Sequence, residues 1–137
     1  MPAYPYPIVT PAHRSVLLLL LWTVSLLDAC DSSVQDVRLA VQDFRFDPQE
    51  VRLHAARPIR LVVVNEGREP HEFTGPFLTD PRVRLLAAEP ADVRGQGTFK
   101  IAPGRSLRLT FLAPAGTYLF RCKIRGHAGM AGMMIVD

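Results

Sequence analysis

The 137-residue chain predicts an all-β domain, a two-sheet sandwich or barrel of seven to eight short strands. Three observations carry that prediction. Apolar and polar residues alternate with a period of two in most apolar segments. Turn residues separate those segments at short, regular intervals. The composition, 48% hydrophobic and 21% charged, is that of one ordinary globular domain.

The strands follow in order. "VRLAV" alternates from Val37 to Val41, "FRF" continues the alternation at Phe44 and Phe46, and "VRL" repeats it at 51–53. "PIRLVVVN" at 58–65 is mostly apolar, as expected of a strand covered on both faces. Asp47-Pro48, Ala56-Arg57-Pro58 and Asn65-Glu66-Gly67 supply the turns between them. "TFKI" leads to Pro103-Gly104, "SLRLTFL" to Pro114-Ala115-Gly116, "TYLFRC" to the last loop, and "MMIV" closes the chain. Seven or eight strands at this spacing suit a sandwich or barrel. The insertion at 78–97 is ambiguous, because "PRVRLLAAE" suits either a short helix or another strand.

The first thirty residues have a different character. "SVLLLLLWTVSLL" is uncharged from Ser15 to Leu27 and follows Arg14. It is shorter than the roughly 20 apolar residues a membrane-spanning helix needs, and has the length of a signal-peptide core. "LDAC" resembles the lipobox of bacterial lipoproteins, with Cys30 as the lipid acceptor, although Asp28 departs from the usual small residue. The expected organisation is a signal peptide at 1–29, a tether at 30–36 and a folded domain at 37–137. That places the protein outside the cytoplasm, on the periplasmic or cell-surface side of a bacterial membrane, lipid-anchored through Cys30. A plain secreted protein with an incidental Cys30 is the alternative.

With Cys30 acylated or removed, Cys122 is the only thiol of the mature chain. A secreted protein stabilised by disulfides carries an even number of cysteines, and a leftover thiol is open to oxidation unless a metal occupies it. The net charge of +3 is scattered, mostly as arginine, with no basic cluster interleaved with aromatics, which excludes nucleic acid.

The last twenty residues, "YLFRCKIRGHAGMAGMMIVD", concentrate the chemistry. By strand alternation Tyr118, Phe120 and Cys122 share a face, and the aromatics mark it as the buried one. Gly126 lets the loop turn, and His127 and Met130 follow. Thiolate, imidazole and thioether form a soft donor set that favours copper, with zinc the main competitor. A fourth ligand must come from elsewhere. His54 ends "VRLH" before a turn, whereas His71 opens a possible strand between Pro70 and Phe73, which makes His71 the better candidate. Met133 and Met134 are alternatives to Met130, favoured as core packing. Glu72 reads as a solvated charge.

"NEG-x-x-x-HEF", "IAPGRSLRLTFLAPAGTYLFRC" and "GHAGMAGMMIV" together resemble the cupredoxins, the type 1 blue-copper family of plastocyanin, azurin and amicyanin. The likeness extends over roughly 37–136. It implies a Greek-key β-sandwich holding one mononuclear copper ion. His71, Cys122 and His127 would form a trigonal ligand set, with Met130 as weak axial ligand. The cysteine-to-histidine spacing is similar to azurin's and the histidine-to-methionine spacing to amicyanin's.

The expected function is one-electron transport, with His127 as the partly exposed edge through which the electron passes. The small residues Ala128, Gly129 and Ala131 would allow close approach. A redox partner protein in a respiratory or similar complex, membrane attachment by lipid, and a monomeric state complete that picture. Lys123 and Arg125 project near the site as either a solvated rim or docking charges for an acidic partner. The alternative is a copper-handling protein that stores or delivers Cu(I), which exposed Met133 and Met134 would serve. An enzyme is not expected, because multicopper oxidases and nitrite reductases need further histidines and no catalytic base surrounds the site.

Overall fold

A computed structural model describes residues 33–90 and 97–137. The leader, Cys30 and positions 91–96 of the insertion lie outside the described residues. Ten strands follow one another: β1 (Gln35–Gln42), β2 (Arg45–Asp47), β3 (Glu50–Leu53), β4 (Ile59–Asn65), β5 (His71–Thr74), β6 (Arg84–Glu89), β7 (Thr98–Ile101), β8 (Ser106–Leu112), β9 (Gly116–Arg121) and β10 (Ala131–Val136). β1 begins inside the expected tether, where Gln35 and Asp36 already pair with Ile59 and Arg60.

The strands form two five-stranded sheets, in the orders β2-β1-β4-β8-β6 and β3-β10-β9-β5-β7. Two pairings are parallel, β1 with β4 and β3 with β10; the others are antiparallel. Period-two alternation decides which residues enter the core. Leu39 and Val41 of β1, Ile59, Leu61 and Val63 of β4, and Leu107, Leu109 and Phe111 of β8 face inward from the first sheet. Phe73, Ile101, Tyr118, Phe120, Met134 and Val136 meet them from the second. Phe46 of β2 bridges the sheets, its ring edge-on to Phe120 at 5.1 Å and to Phe73 at 6.1 Å. Such edge-on aromatic pairs contribute about 0.5–1.5 kcal/mol each beyond their buried area. The Tyr118 hydroxyl donates to the Pro114 carbonyl at 2.6 Å and pins the entry to β9.

Three expectations need correction. The strand count is ten among the described residues, because short segments around 45–53, 71–74 and 84–89 each pair. Apart from a single 3-10 turn, Pro76–Leu78, that ends on its first residue, the insertion is not helical among the described residues: Arg84–Glu89 is a strand on the edge of β8, with a register shift at Leu85/Ala87 and an Arg108–Glu89 ion pair at 3.3 Å. The local pattern was compatible with either state, and the open backbone edge of β8 decided it. β4 is covered fully on one face only; Val62 and Val64 on the other are half-buried by the neighbouring strands.

Candidate metal centre

His71 is delivered by the β4–β5 connection. Asn65, the wholly buried last residue of β4, organises it. Its side-chain amide donates to the carbonyls of Glu69 and Ile101, both at 2.8 Å, and its Oδ1 accepts from the Gly67 N–H at 2.9 Å. Gly67 permits close approach: a Cβ there would meet the Asp43 Oδ1 at 2.4 Å and displace that carboxylate. The chain then enters β5 with His71 opposite Ile101 of β7, and the imidazole turns into the sandwich.

The other donors sit on the β9–β10 connection. The alternation that buries Tyr118 and Phe120 continues to Cys122, which is 8% exposed. The loop closes on itself, with the Cys122 N–H donating to the Met130 carbonyl at 3.0 Å, the His127 N–H to Ile124 at 3.1 Å, and the Met130 N–H to His127 at 3.2 Å. Gly126, at φ +95°, makes the left-handed turn that returns His127 toward Cys122.

The ligand atoms of His71, Cys122 and His127 lie within 4.8 Å of one another. The Cys122 Sγ is 3.5 Å from His127 Nδ1, and it accepts the Glu72 backbone N–H at 3.3 Å. The two imidazoles are tilted at 46° with centroids 4.8 Å apart. His71 is wholly buried, yet neither ring nitrogen has a hydrogen-bond partner. The nearest carboxylate oxygen, on Asp43, is 4.0 Å from Nε2, beyond hydrogen-bonding distance. Burial is the main cause that pushes the His71 pKa below its ordinary value; the nearby His127 adds to it, and Asp43 and Glu69 oppose. A neutral imidazole is the form that binds metal. Buried polar atoms almost always find a partner, so two orphaned nitrogens beside a thiol and a second imidazole fit a metal-ion site. Two imidazoles and a thiolate, with a thioether close by in sequence, suit copper in either oxidation state.

His71, Cys122 and His127 come together. Met130 is 2% exposed and is tied through its backbone to both Cys122 and His127. Met134 is core, opposite Tyr118, while Met133 on the other face of β10 is half-buried. His54 is exposed beside Asp137 at 3.4 Å and takes no part. His127 is only 9% exposed, less than expected for an open edge, and the Phe44 ring meets it edge-on at 5.4 Å. Phe44 was expected on a strand; it occupies the turn between β1 and β2, and nothing in the local alternation signalled its contact with a loop over eighty positions away. Asn65 was legible as a turn residue but not as the clamp of the His71 loop. The Glu72 side chain has no hydrogen bond in the site, but its backbone does, a role that residue type does not encode.

A family model described as a cupredoxin-like domain matches residues 15–136. A search of curated proteins found no match. Among solved structures, auracyanin from the photosynthetic bacterium Roseiflexus castenholzii, reduced with dithionite, is 21% identical with a TM-score of 0.54, covering 75% of this chain and 97% of its own. Auracyanin A, a "blue" copper protein from the green thermophilic photosynthetic bacterium Chloroflexus aurantiacus, is 17% identical with a TM-score of 0.53 over 77% of this chain and all of its own. Auracyanin B is 20% identical with a TM-score of 0.53, over 75% and 88% respectively. At these identities the likeness is one of fold.

Proposed function

The chain belongs to the cupredoxin-like domain family, and on that premise we propose that it carries single electrons on one copper ion held by His71, Cys122 and His127, with Met130 as the weak fourth ligand. Auracyanin A, whose fold this chain shares, is a "blue" copper protein, which supports the reading. The observation that carries the reading for this chain is the buried His71, orphaned at both ring nitrogens, beside a buried thiol and a second imidazole.

Bound there, copper supplies a one-electron couple between Cu(I) and Cu(II). The protein's part is to keep the donors where either state is tolerated. The Asn65 hydrogen bonds hold the His71 loop, the three backbone hydrogen bonds of the Cys122–Met130 segment hold the other donors, and the Glu72 N–H orients and partly neutralises the thiolate. A frame so constrained changes little when an electron arrives. Exposed Ala128 and Gly129 beside Lys123 and Arg125 form the approach for a redox partner protein with an acidic contact surface. Copper storage or delivery lacks support: Met134 is buried and Met133 half-buried, so neither offers an exposed thioether cluster.

The sequence-level leader completes the proposal. Residues 1–29 are removed, Cys30 is lipidated, and the monomeric domain works on the periplasmic or cell-surface side of a bacterial membrane. Mass spectrometry of the membrane-extracted protein tests this, since an unmodified Cys30 would sink the anchor.

The deciding experiment on the centre is a visible spectrum of the full chain after adding Cu(II). The expected result is an intense blue charge-transfer band that bleaches reversibly on reduction and is absent in Cys122→Ala. No band, with tight zinc or Cu(I) binding instead, overturns electron transport.

A further inference from the structure

Phe44 is outside the ligand set and outside the core. It sits with Asp43 in the two-residue turn joining β1 to β2, and it is 64% exposed at φ +70°. The left-handed conformation is unfavourable for a bulky side chain, and such turn positions ordinarily hold glycine or asparagine. An aromatic ring there combines a strained backbone with apolar surface left in water. Core packing does not compensate for either, because the ring's aromatic contact is with His127, edge-on at 5.4 Å and 74°.

The turn that presents Phe44 is itself anchored. The Arg68 N–H donates to the Asp43 Oδ1 at 3.0 Å, and Gly67 packs so closely against the same residue that a Cβ would displace its carboxylate. Phe44 therefore rides on the β4–β5 connection that positions His71. It reaches from the first sheet's edge to a ligand loop of the second. At the other end of that contact His127 is 9% exposed, although Gly126, Ala128 and Gly129 around it are all exposed.

We propose that Phe44 is a positioning residue of the redox centre: its ring covers His127, excludes water from the imidazole and fixes the ring plane, and thereby raises the reduction potential. The effect on potential rests on the copper reading above; the cover itself does not. The oxidised centre carries one more positive charge than the reduced one, so water at the ligand favours oxidation, and an apolar cover opposes it.

The metal-free full chain gives the first test. Diethyl pyrocarbonate acylates accessible imidazoles, and peptide mapping reads each histidine separately. His54, with its side chain 69% exposed, is the reactive standard, and His71, at 1%, the protected one. In Phe44→Gly, His127 acylation should rise several-fold with His54 and His71 unchanged, and Phe44→Tyr should restore protection. The thermal midpoint of Phe44→Gly should not fall, because glycine suits the turn; Phe44→Asn, which also tolerates the left-handed conformation, is the second variant if glycine loosens the hairpin. In the copper-loaded chain, Phe44→Gly should keep the blue band at a lower potential, and Phe44→Tyr should bring the potential back. Unchanged His127 acylation in both Phe44→Gly and Phe44→Asn overturns the cover. Accelerated acylation with an unchanged potential overturns the tuning role. A wild-type chain with no blue band sinks the copper reading and, with it, the tuning role, while the acylation rates still decide the cover.

Discussion

The Glu72 backbone N–H donates to the Cys122 sulfur at 3.3 Å, joining the start of β5 to the end of β9 across fifty positions of sequence. A hydrogen bond to the thiolate withdraws electron density that would otherwise stabilise the oxidised metal. Removing it with Glu72→Pro should lower the reduction potential of the copper-loaded chain by some tens of millivolts. Glu72→Gln, which alters only the side chain, should leave it unchanged. Voltammetry of the two variants distinguishes a backbone role from a charge effect.

His71 should be dispensable for folding and indispensable for metal. Its two unpartnered buried nitrogens are a liability in the metal-free protein, since leaving a buried polar group unsatisfied costs about 1–3 kcal/mol. His71→Leu should therefore match or exceed the wild-type metal-free melting temperature. A ligand that binds only the folded state at a thousand times its dissociation constant adds about 4 kcal/mol. Calorimetry should show a copper-induced rise in the wild type and none in His71→Leu.

Tyr118 offers the opposite dissociation. Tyr118→Phe deletes the 2.6 Å hydrogen bond to the Pro114 carbonyl while keeping the ring in the core. Stability should fall by about 1 kcal/mol in denaturant titration, as for a typical lost hydrogen bond. The visible spectrum should not move, because the hydroxyl bonds to the turn preceding β9 and not to the donor loop.

Among the described residues, Lys123 and Arg125 have no ion-pair partner, unlike Arg38, Arg60 and Arg82, which pair with Glu66, Asp36 and Asp80. Reversing both with Lys123→Glu and Arg125→Glu should slow oxidation of the reduced protein by hexacyanoferrate(III) several-fold at low salt. The difference should shrink as salt rises, since exposed charges are screened beyond about 8 Å at physiological ionic strength. Stopped-flow rates across a salt series check it, and a salt-independent difference would argue against steering.

Much of this protein was legible in the order of its residues. Alternation at 37–41, 106–112 and 117–122 specified strands and their buried faces, because a side-chain period of two is a local property of extended backbone. The same alternation, carried one step past Phe120, put Cys122 inside, and the glycine at 126 allowed His127 to follow it. The ligand candidates at 122, 127 and 130 were readable because one short loop holds them all.

What the sequence could not determine are the pairings between distant segments. Arg84–Glu89 became a strand because β8 offered an open edge. His71 met Cys122 because β5 and β9 lie side by side in one sheet, pairing at Thr74 and Arg121, and Asn65 became its clamp because Ile101 of another strand supplied a carbonyl. Phe44 covers His127 only through the docking of one hairpin turn on a loop of the other sheet. By itself the sequence determined most of the strands, their inward faces and the donor types. The tertiary structure alone decided which donors share a cavity, which backbone N–H reaches the sulfur and which ring shields the imidazole. Those contacts are made through space between elements far apart in the chain, and no local period records them.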